Sequence, residues 1–254
     1  MSFDPFGDFE TAGYLRNEYQ LKDPYLVKRV EHAAFESNVE DALSFLTGLE
    51  DVDYDAVLRV HEILFSSFYP WAGKDRNEVA PTLRVTKGDR NDADSTEFAY
   101  PDEVRRATEL AIRQAAKHSR FKERPGEVMG LLAFAHPFLD GNGRTILLVY
   151  MELCFRAGFA IDWSQTTKDD YLRVLSAEIR EPNERHLDTY LQPHVVEVAR
   201  REDWPAIIGE IKGLDGLDKE GITYENLDGS MARPYSHYRS YLAQPLEDSE
   251  TSRS

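Results

Sequence analysis

The chain of 254 residues contains a single cysteine, Cys154. One cysteine cannot form a disulfide bond within the chain, and without a cysteine cluster a zinc site built on thiolates is not expected. No apolar run reaches the roughly 18 residues that a membrane-spanning helix requires. The first ten residues are acidic and lack the basic and apolar segments of a secretory signal. We therefore expect a cytoplasmic protein, with export by a route that needs no signal peptide as the alternative.

Basic residues are also scarce, because 30 lysines and arginines stand against 46 aspartates and glutamates, giving a formal net charge of −16. An acidic surface repels a phosphate backbone, so a general role in binding nucleic acid is not expected. The ordinary consequence of such acidity is solubility, and the alternative is a basic partner. Hydrophobic residues make up 41% of the chain, which is enough for one large domain with its own core.

Most of the chain has the hydrophobic period of amphipathic helices. The predicted helices cover about residues 11–19, 23–46, 53–67, 101–118, 125–135, 142–156, 167–179, 183–198 and 204–211. After residue 212 the composition changes to Gly, Asp, Ser, Tyr and Pro, which predicts a weakly structured tail docking through Tyr235, Tyr238 and Tyr241. We therefore assign residues 1–212 to one domain (core about 50–200, N-terminal helices within 11–48) and 213–254 to the tail.

Residues 74–100 lose the helical period and instead predict a β-hairpin over about 83–100 with a long polar loop. Apolar and polar side chains alternate along its first strand, before a turn-rich segment that starts at Lys87. The residues assigned to this side of the hairpin are Leu83, Arg84, Val85, Thr86 and Lys87.

The most informative stretch is HPFLDGNGR at residues 136–144. His136 and Asp140 lie four residues apart, a Gly-Asn-Gly turn follows, and an apolar helix begins there. Glycines let backbone amides approach a ligand closely, and a helix N-terminus favours an anion. Histidine can move a proton near neutral pH, and aspartate offers a hard oxygen to magnesium. Phosphate cradle, metal ligand and base together predict chemistry on a nucleotide or another phosphate ester.

Other loops with similar residues do not fit this stretch. A calcium loop starting at Asp140 needs glycine at its sixth position and glutamate at its twelfth, but these positions hold Thr145 and Met151. A Walker loop ends in Gly-Lys-Ser/Thr, whereas this turn continues Gly-Arg-Thr, and the paired histidines of a zincin are missing. A chance turn between two helices is the remaining alternative.

The stretch resembles the motif of Fic domains, written HPFx(D/E)GNGRxxR. It matches every position except the last, where Leu147 stands in place of a second arginine. Residues 69–73 (YPWAG) are similar to a second Fic element, although an aromatic packing corner explains them equally well. The resemblance covers about residues 10–200, and it implies an all-α fold: a Fic-type helical bundle carrying a β-hairpin flap.

The resemblance implies a protein adenylyltransferase, which moves AMP from ATP to a Ser, Thr or Tyr hydroxyl of a target protein. His136 would be the general base, and Asp140 would bind Mg²⁺. The hairpin at residues 83–87 would be the flap that pairs with an extended segment of the target. The phosphates would be held by the glycine-rich turn and its arginine, which comprise Gly141, Asn142, Gly143 and Arg144.

Leu147 leaves the donor open, because the second arginine of the family contacts the γ-phosphate of ATP. The consequence is slower adenylylation, a different donor such as another nucleotide or CDP-choline, or a γ-phosphate contact from elsewhere. The family's inhibitory helix, (S/T)xxxE(G/N), is matched only in part by residues 119–123. A small antitoxin-like inhibitor is therefore an expected partner, and a protein without this restraint is the alternative. The main expectation is a bacterial toxin or effector; the alternative class is a catalytically weak nucleotide-binding module.

Overall fold

The computed structural model describes residues 15–88, 95–211, 214, 222–227 and 236–243. The helices in these ranges are α1 (Pro24–Thr47), α2 (Tyr54–Phe65), α3 (Arg76–Val79), α4 (Val104–Ala115), α5 (His118–Glu123), α6 (Pro125–Ala135), α7 (Asn142–Arg156), α8 (Lys168–Arg180), α9 (His186–Leu191), α10 (Trp204–Glu210) and α11 (His237–Leu242). The strands are β1 (Leu83–Lys87), β2 (Thr96–Glu97), β3 (Ala160–Ile161), β4 (Val195–Val196) and β5 (Ile222–Asn226).

The starts of α1 and α2 follow from their capping residues. The carboxylate of Asp23 accepts a hydrogen bond from the Leu26 amide, and Pro24 occupies the first turn of α1. Asp53 caps α2 in the same way through the Ala56 amide. Such caps satisfy amides that have no partner within a helix, so both predicted starts are confirmed.

The centre of the bundle is α6, whose residues are buried on nearly every side. It packs against α4, α7, α8 and α9, while α7 also contacts α1 and α2. A helix that is apolar all round belongs in the interior, where it buries its whole surface. The loop between α6 and α7 carries the motif, so this packing fixes both of its ends. The predicted all-α bundle with a β-hairpin is confirmed.

The predicted hairpin is present as the antiparallel pair β1–β2, with Thr86 opposite Glu97. Its loop at residues 89–94 lies outside the described residues. The second edge of β1 pairs with β5, again antiparallel, and Val85 faces Tyr224 in this register. A short second sheet joins β3 to β4. The larger sheet therefore draws a segment from the C-terminal end of the chain onto the hairpin.

Several expected elements differ from the structure. Of the helix predicted at 11–19, residues 11–14 lie outside the described residues, and residues 15–19 are not helical. In place of the helix predicted at 183–198 the structure has only the six-residue α9. Arg185, with a left-handed backbone (φ 58°), precedes its start, and Pro193, which has no N–H to donate, prevents its continuation. The helix predicted at 101–118 ends at Ala115, and α5 starts separately after a break at Lys117.

The tail predicted as weakly structured is ordered in its described parts. Residues 222–226 form β5, and residues 237–242 form α11. Tyr238 is buried against the bundle and Tyr241 is 41% exposed, while Tyr235 lies outside the described residues. The domain boundaries at 212 and 213 remain predictions. None of the helices in the described ranges combines the length and the hydropathy that a membrane span needs.

Candidate active site

The motif loop begins where α6 stops. His136 has a left-handed backbone with φ 42°, and its amide donates to the Leu132 carbonyl at 3.4 Å. Pro137 disfavours the helical state for the residue before it, which ends α6 at this point. The chain then turns through residues 138–141 and enters α7 at Asn142. His136 is consequently held at the junction between a buried helix and a tight loop.

The side chain of Asn142 closes this loop. Its Oδ1 accepts from the Phe138 amide at 2.8 Å, and its Nδ2 donates to the Phe138 carbonyl at 2.7 Å. The ring of Phe138 is fully buried and stacks on His61, with 3.8 Å between ring centres. The Asn142 carboxamide is therefore engaged on both its oxygen and its nitrogen within the loop, and its backbone amide lies at the start of α7.

His61 supports the loop from α2. Its Nδ1 accepts from the Gly73 amide at 2.9 Å, so the proton of a neutral ring is on Nε2. Nε2 lies 3.0 Å from the Asp140 carbonyl oxygen, in position to donate to it. His61 is fully buried, and these two polar contacts fix the backbone of the loop.

The two glycines of the turn face opposite surroundings. Gly141 has φ 77°, and a Cβ added to it would lie 2.6 Å from Cε2 of Phe65. Glycine is required here by both backbone and space. A Cβ added to Gly143 would meet no atom within 4 Å, and this residue is exposed. The backbone at 143 therefore borders open space at the start of α7.

Arg76 connects His136 to the hairpin. The Arg76 side chain is fully buried, and its Nε donates to the His136 carbonyl at 2.7 Å. Its Nη2 donates to the carbonyls of Ala99 at 2.6 Å and Ala135 at 3.3 Å. Burial lowers the pKa of Arg76 to about 10, so the group remains charged near neutral pH. The imidazole of His136 stacks on Phe98, with 3.9 Å between ring centres.

Asp140 presents its carboxylate beside Tyr69. Oδ1 accepts from the Gly141 amide at 2.6 Å, and Oδ2 accepts from the Tyr69 hydroxyl at 3.2 Å. Burial, with the charge of Asp140 beside it, raises the pKa of Tyr69 well above its usual range, so the hydroxyl stays protonated and donates. Within the described part of the chain, no three His, Cys, Asp or Glu side chains group as metal ligands.

Arg144 forms a buried ion pair with α1. Its Nη2 lies 2.5 Å from Oε1 of Glu31, and the two side chains are 4% and 1% exposed. The guanidinium also lies over the ring of Phe65, 4.8 Å from its centre. The second terminal nitrogen, Nη1, is buried and has no hydrogen-bond partner. A buried cationic donor without an acceptor suits an anionic ligand.

Leu147, which stands where the motif has a second arginine, is 6% exposed and belongs to the apolar core. Among the predicted flap residues Val85 is fully buried, and its carbonyl accepts from the amide of Phe98, whose ring stacks on His136. The Tyr224 hydroxyl, from β5, donates to the Leu139 carbonyl at 2.7 Å. Burial, followed by the charge of Asp140, raises the pKa of Tyr224.

The structure thus brings His136–Arg144 together in one loop with the hairpin beside it. Four supporting residues come from distant segments that the motif does not contain, namely Glu31, His61, Arg76 and Tyr224. None of them stands in a sequence pattern that marks it. Only Arg76 had a nearby signal, because it follows the YPWAG segment closely.

Comparison with known proteins points to one family. The sequence model of the Fic/DOC family matches residues 51–154. The protein adenylyltransferase VbhT of Bartonella schoenbuchensis is 30% identical over 232 residues, which cover 86% of this chain and 45% of VbhT. The chain thus spans less than half the length of that relative. The probable protein adenylyltransferase y4lH of Sinorhizobium fredii is 29% identical over 175 residues, covering 65% of this chain and 82% of y4lH.

Solved structures share the fold. The BepC protein of Bartonella tribocorum, crystallised with AMPPNP, matches with a TM-score of 0.61 and 20% identity over 75% of this chain and 96% of that one. The N-terminal Fic domain of a Bartonella quintana effector with bound ADP matches with a TM-score of 0.60 and 20% identity, covering 74% of this chain and 94% of that domain. Together with the match to the Fic/DOC family model over residues 51–154, the shared fold shows that this chain carries a Fic domain.

Proposed function

We propose that this chain is a protein adenylyltransferase that moves AMP from ATP to a Ser, Thr or Tyr hydroxyl of a target protein. The observation that carries the proposal is the loop at 136–144. It combines a histidine at a helix end, one carboxylate, an open glycine turn at a helix start and a buried arginine with an unpaired N–H. The relatives named as protein adenylyltransferases support the same activity.

In this proposal His136 takes the proton of the target hydroxyl as the oxygen attacks the α-phosphate. The new bond joins that oxygen to phosphorus, and the bond from phosphorus to pyrophosphate breaks. The backbone amides of Asn142 and Gly143 would bind phosphate oxygens, since they lie at the start of α7. Gly141, whose amide already donates to the Asp140 carboxylate, would contribute through its left-handed backbone, which shapes the turn. Arg144 would stabilise the charge on the departing pyrophosphate.

Asp140 fits magnesium held partly by substrate. Mg²⁺ is usually bound by one or two carboxylates together with nucleotide phosphates, so the lack of a three-residue acidic cluster among the described residues is compatible with it. A bound ion would supply charge neutralisation for the phosphates. The hydroxyl of Tyr69 and the Gly141 amide hold the carboxylate in place.

Leu147 bears on the choice of donor. An apolar side chain cannot contact the γ-phosphate, so a charge-assisted bond of about 1.5–3 kcal/mol is missing. ATP is the first candidate donor because the Gly-Asn-Gly turn and Arg144 of the motif are intact. Another nucleotide or CDP-choline is the second candidate, and Leu147 is the observation that favours it.

The proposed partners are a target protein at the flap and a small antitoxin-like inhibitor. The related BepC is described as a VirB-translocated effector, which supports a role as an effector or toxin for this chain too. A cytoplasmic location with export by a signal-independent route is part of the same proposal. The target itself would be identified by mass spectrometry of proteins modified after expression.

The test is incubation of the protein with ATP labelled at the α-phosphate, Mg²⁺ and cell lysate. Wild type should label protein, and His136→Ala should not. His118→Ala, which changes an exposed histidine on α5, is the matched control and should label as wild type does. Equal labelling by wild type and His136→Ala would contradict the proposal. Calorimetry with ATP, ADP and CDP-choline separates donor choice from loss of activity, because a nucleotide-binding module would bind without transferring.

A further inference from the structure

The edge of β1 that faces away from β2 is paired with β5. The carbonyl of Val85 accepts from the Phe98 amide on the β2 side, at 3.2 Å. The Thr82 carbonyl accepts from the Leu227 amide on the other side, at 2.7 Å. Backbone groups alternate along a strand, so those of Arg84 and Thr86 point toward β5. The five-residue register between β1 and β5 therefore uses the backbone groups that a target strand would need.

Side chains of β5 match those of β1. Arg84 forms an ion pair with Glu225 directly opposite, and the hydroxyls of Thr86 and Thr223 are 2.5 Å apart. Cross-strand pairs of this kind are the unit that stabilises a sheet. A segment with a carboxylate opposite Arg84 and a hydroxyl opposite Thr86 is thus the chemistry that this edge selects.

Tyr224 carries a hydroxyl into the motif loop. It lies opposite Val85, and its hydroxyl donates to the Leu139 carbonyl at 2.7 Å. Leu139 immediately precedes Asp140 and lies three residues after His136. A hydroxyl-bearing side chain on a strand paired with the flap is what the proposed reaction requires of its target. Here that position is taken by the protein's own chain.

A second segment of the tail, α11, packs on the bundle and pairs with the hairpin. Tyr238 on α11 is buried, with its ring 5.1 Å from that of Phe134. Arg239 pairs with Glu97 of β2 at 3.1 Å and with Glu103 at 3.0 Å. The tail therefore contacts both strands of the hairpin, β1 through β5 and β2 through α11. A tethered segment has an effective concentration of about millimolar, so it competes strongly with free ligands.

We propose that residues 222–227 are a built-in occupant of the target-binding edge, which a target segment must displace before AMP transfer. The displacing segment would be extended, with a hydroxyl side chain directed at the motif loop and a carboxylate opposite Arg84. This inference rests on the proposed function, because it assumes transfer to a target that pairs with the flap. The competing arrangement is that targets add to the outer edge of β5 and need it in place.

The test weakens β5 without touching the motif. Glu225→Arg places like charges opposite each other at Arg84, whereas Glu40→Arg makes the same charge change at an exposed site on α1 and is the control. Amide hydrogen exchange at Arg84 and Thr86 should rise at least about tenfold in Glu225→Arg only. Labelling of lysate proteins should rise several-fold. Glu225→Gln, a milder change, gives the same test should the arginine variant fail to fold.

Binding of a synthetic peptide with the sequence of residues 221–229 provides a readout that does not depend on catalysis. The peptide should bind Glu225→Arg, since its own glutamate can pair with Arg84, and should not bind wild type. Exchange equal to that of Glu40→Arg, or equal peptide binding by wild type and Glu225→Arg, would overturn the inference. A fall in labelling together with faster exchange would show that targets need β5 in place. Labelling that never exceeds the His136→Ala background would remove the proposed function, while exchange and peptide binding would still decide whether the edge is occupied.

Discussion

Two single substitutions, Gly141→Ala and Gly143→Ala, should separate the stability of the motif loop from its ability to bind phosphate. At Gly141 the left-handed backbone costs a non-glycine residue about 1–2 kcal/mol. The 2.6 Å approach to Phe65 adds an overpacking cost of about 1–3 kcal/mol. Gly141→Ala should therefore lower the free energy of unfolding by about 2–5 kcal/mol.

Gly143→Ala should behave in the opposite way. No atom lies within 4 Å of its added Cβ, and alanine in a helix is favoured over glycine by up to about 1 kcal/mol. The free energy of unfolding should stay equal or rise slightly. ATP affinity should nonetheless fall by about tenfold or more, because the methyl group occupies the space from which a phosphate would approach the amide.

Two further glycines supply matched controls. Gly158 has φ 80° but open space around its Cβ, so Gly158→Ala measures backbone strain without a clash. Gly209, in α10, has neither feature, and Gly209→Ala should gain stability with no effect on ATP. Urea unfolding gives the stabilities, and calorimetry with ATP and Mg²⁺ gives the affinities. The reasoning fails if Gly143→Ala binds ATP as wild type does, or if Gly141→Ala is no less stable than Gly158→Ala.

Three other predictions concern single side chains. Burial raises the pKa of Glu178 to about 7 from its ordinary 4.5, so the contribution of the protonated carboxyl to stability is fully present below pH 4.5 and is lost as the pH rises to about 7. Glu178→Gln should therefore flatten the dependence of the free energy of unfolding on pH between 4.5 and 7, measured by urea unfolding. An unchanged slope in this range would contradict the prediction. Arg76→Lys keeps the positive charge, but a lysine cannot donate to all three carbonyls that Arg76 contacts. The kcat for labelling should therefore fall while the KM for ATP changes little. A change confined to KM would refute a positioning role for Arg76. Leu147→Arg should favour ATP over ADP by about tenfold or more in calorimetry, and equal effects on both would exclude a γ-phosphate contact.

The helices that could be predicted from sequence are those whose signals are local. Asp23 and Asp53 cap the helices that follow them, and the apolar stretch after Gly143 can only be a buried helix. The short segments were harder, because α9 and α11 have six residues each and depend on tertiary packing. The strand at 222–226 has its partner far earlier in the chain, and such a pairing leaves no local pattern.

In the candidate site, too, the local features could be predicted from the sequence and the long-range contacts could not. Residues 136–144 are contiguous, so their spacing alone predicted a loop between two helices. The residues that support this loop arrive from elsewhere: His61 is 79 positions from Asp140 and Arg76 is 60 from His136. A lone histidine and a lone arginine carry no signal of that kind. Only the folded chain shows that they hold the loop backbone.

The ion pair between Glu31 and Arg144 has a consequence for how this domain can be moved between proteins. The family match starts at residue 51, yet the counter-charge of the motif arginine lies on α1, before that point. A chimera that grafted only residues 51–154 onto a host helix without an acidic residue at the place of Glu31 would bury the Arg144 guanidinium without its counter-charge. Breaking a buried pair in this way costs about 3–5 kcal/mol. The smallest transplantable unit of this domain therefore starts no later than Asp23, the residue that caps α1.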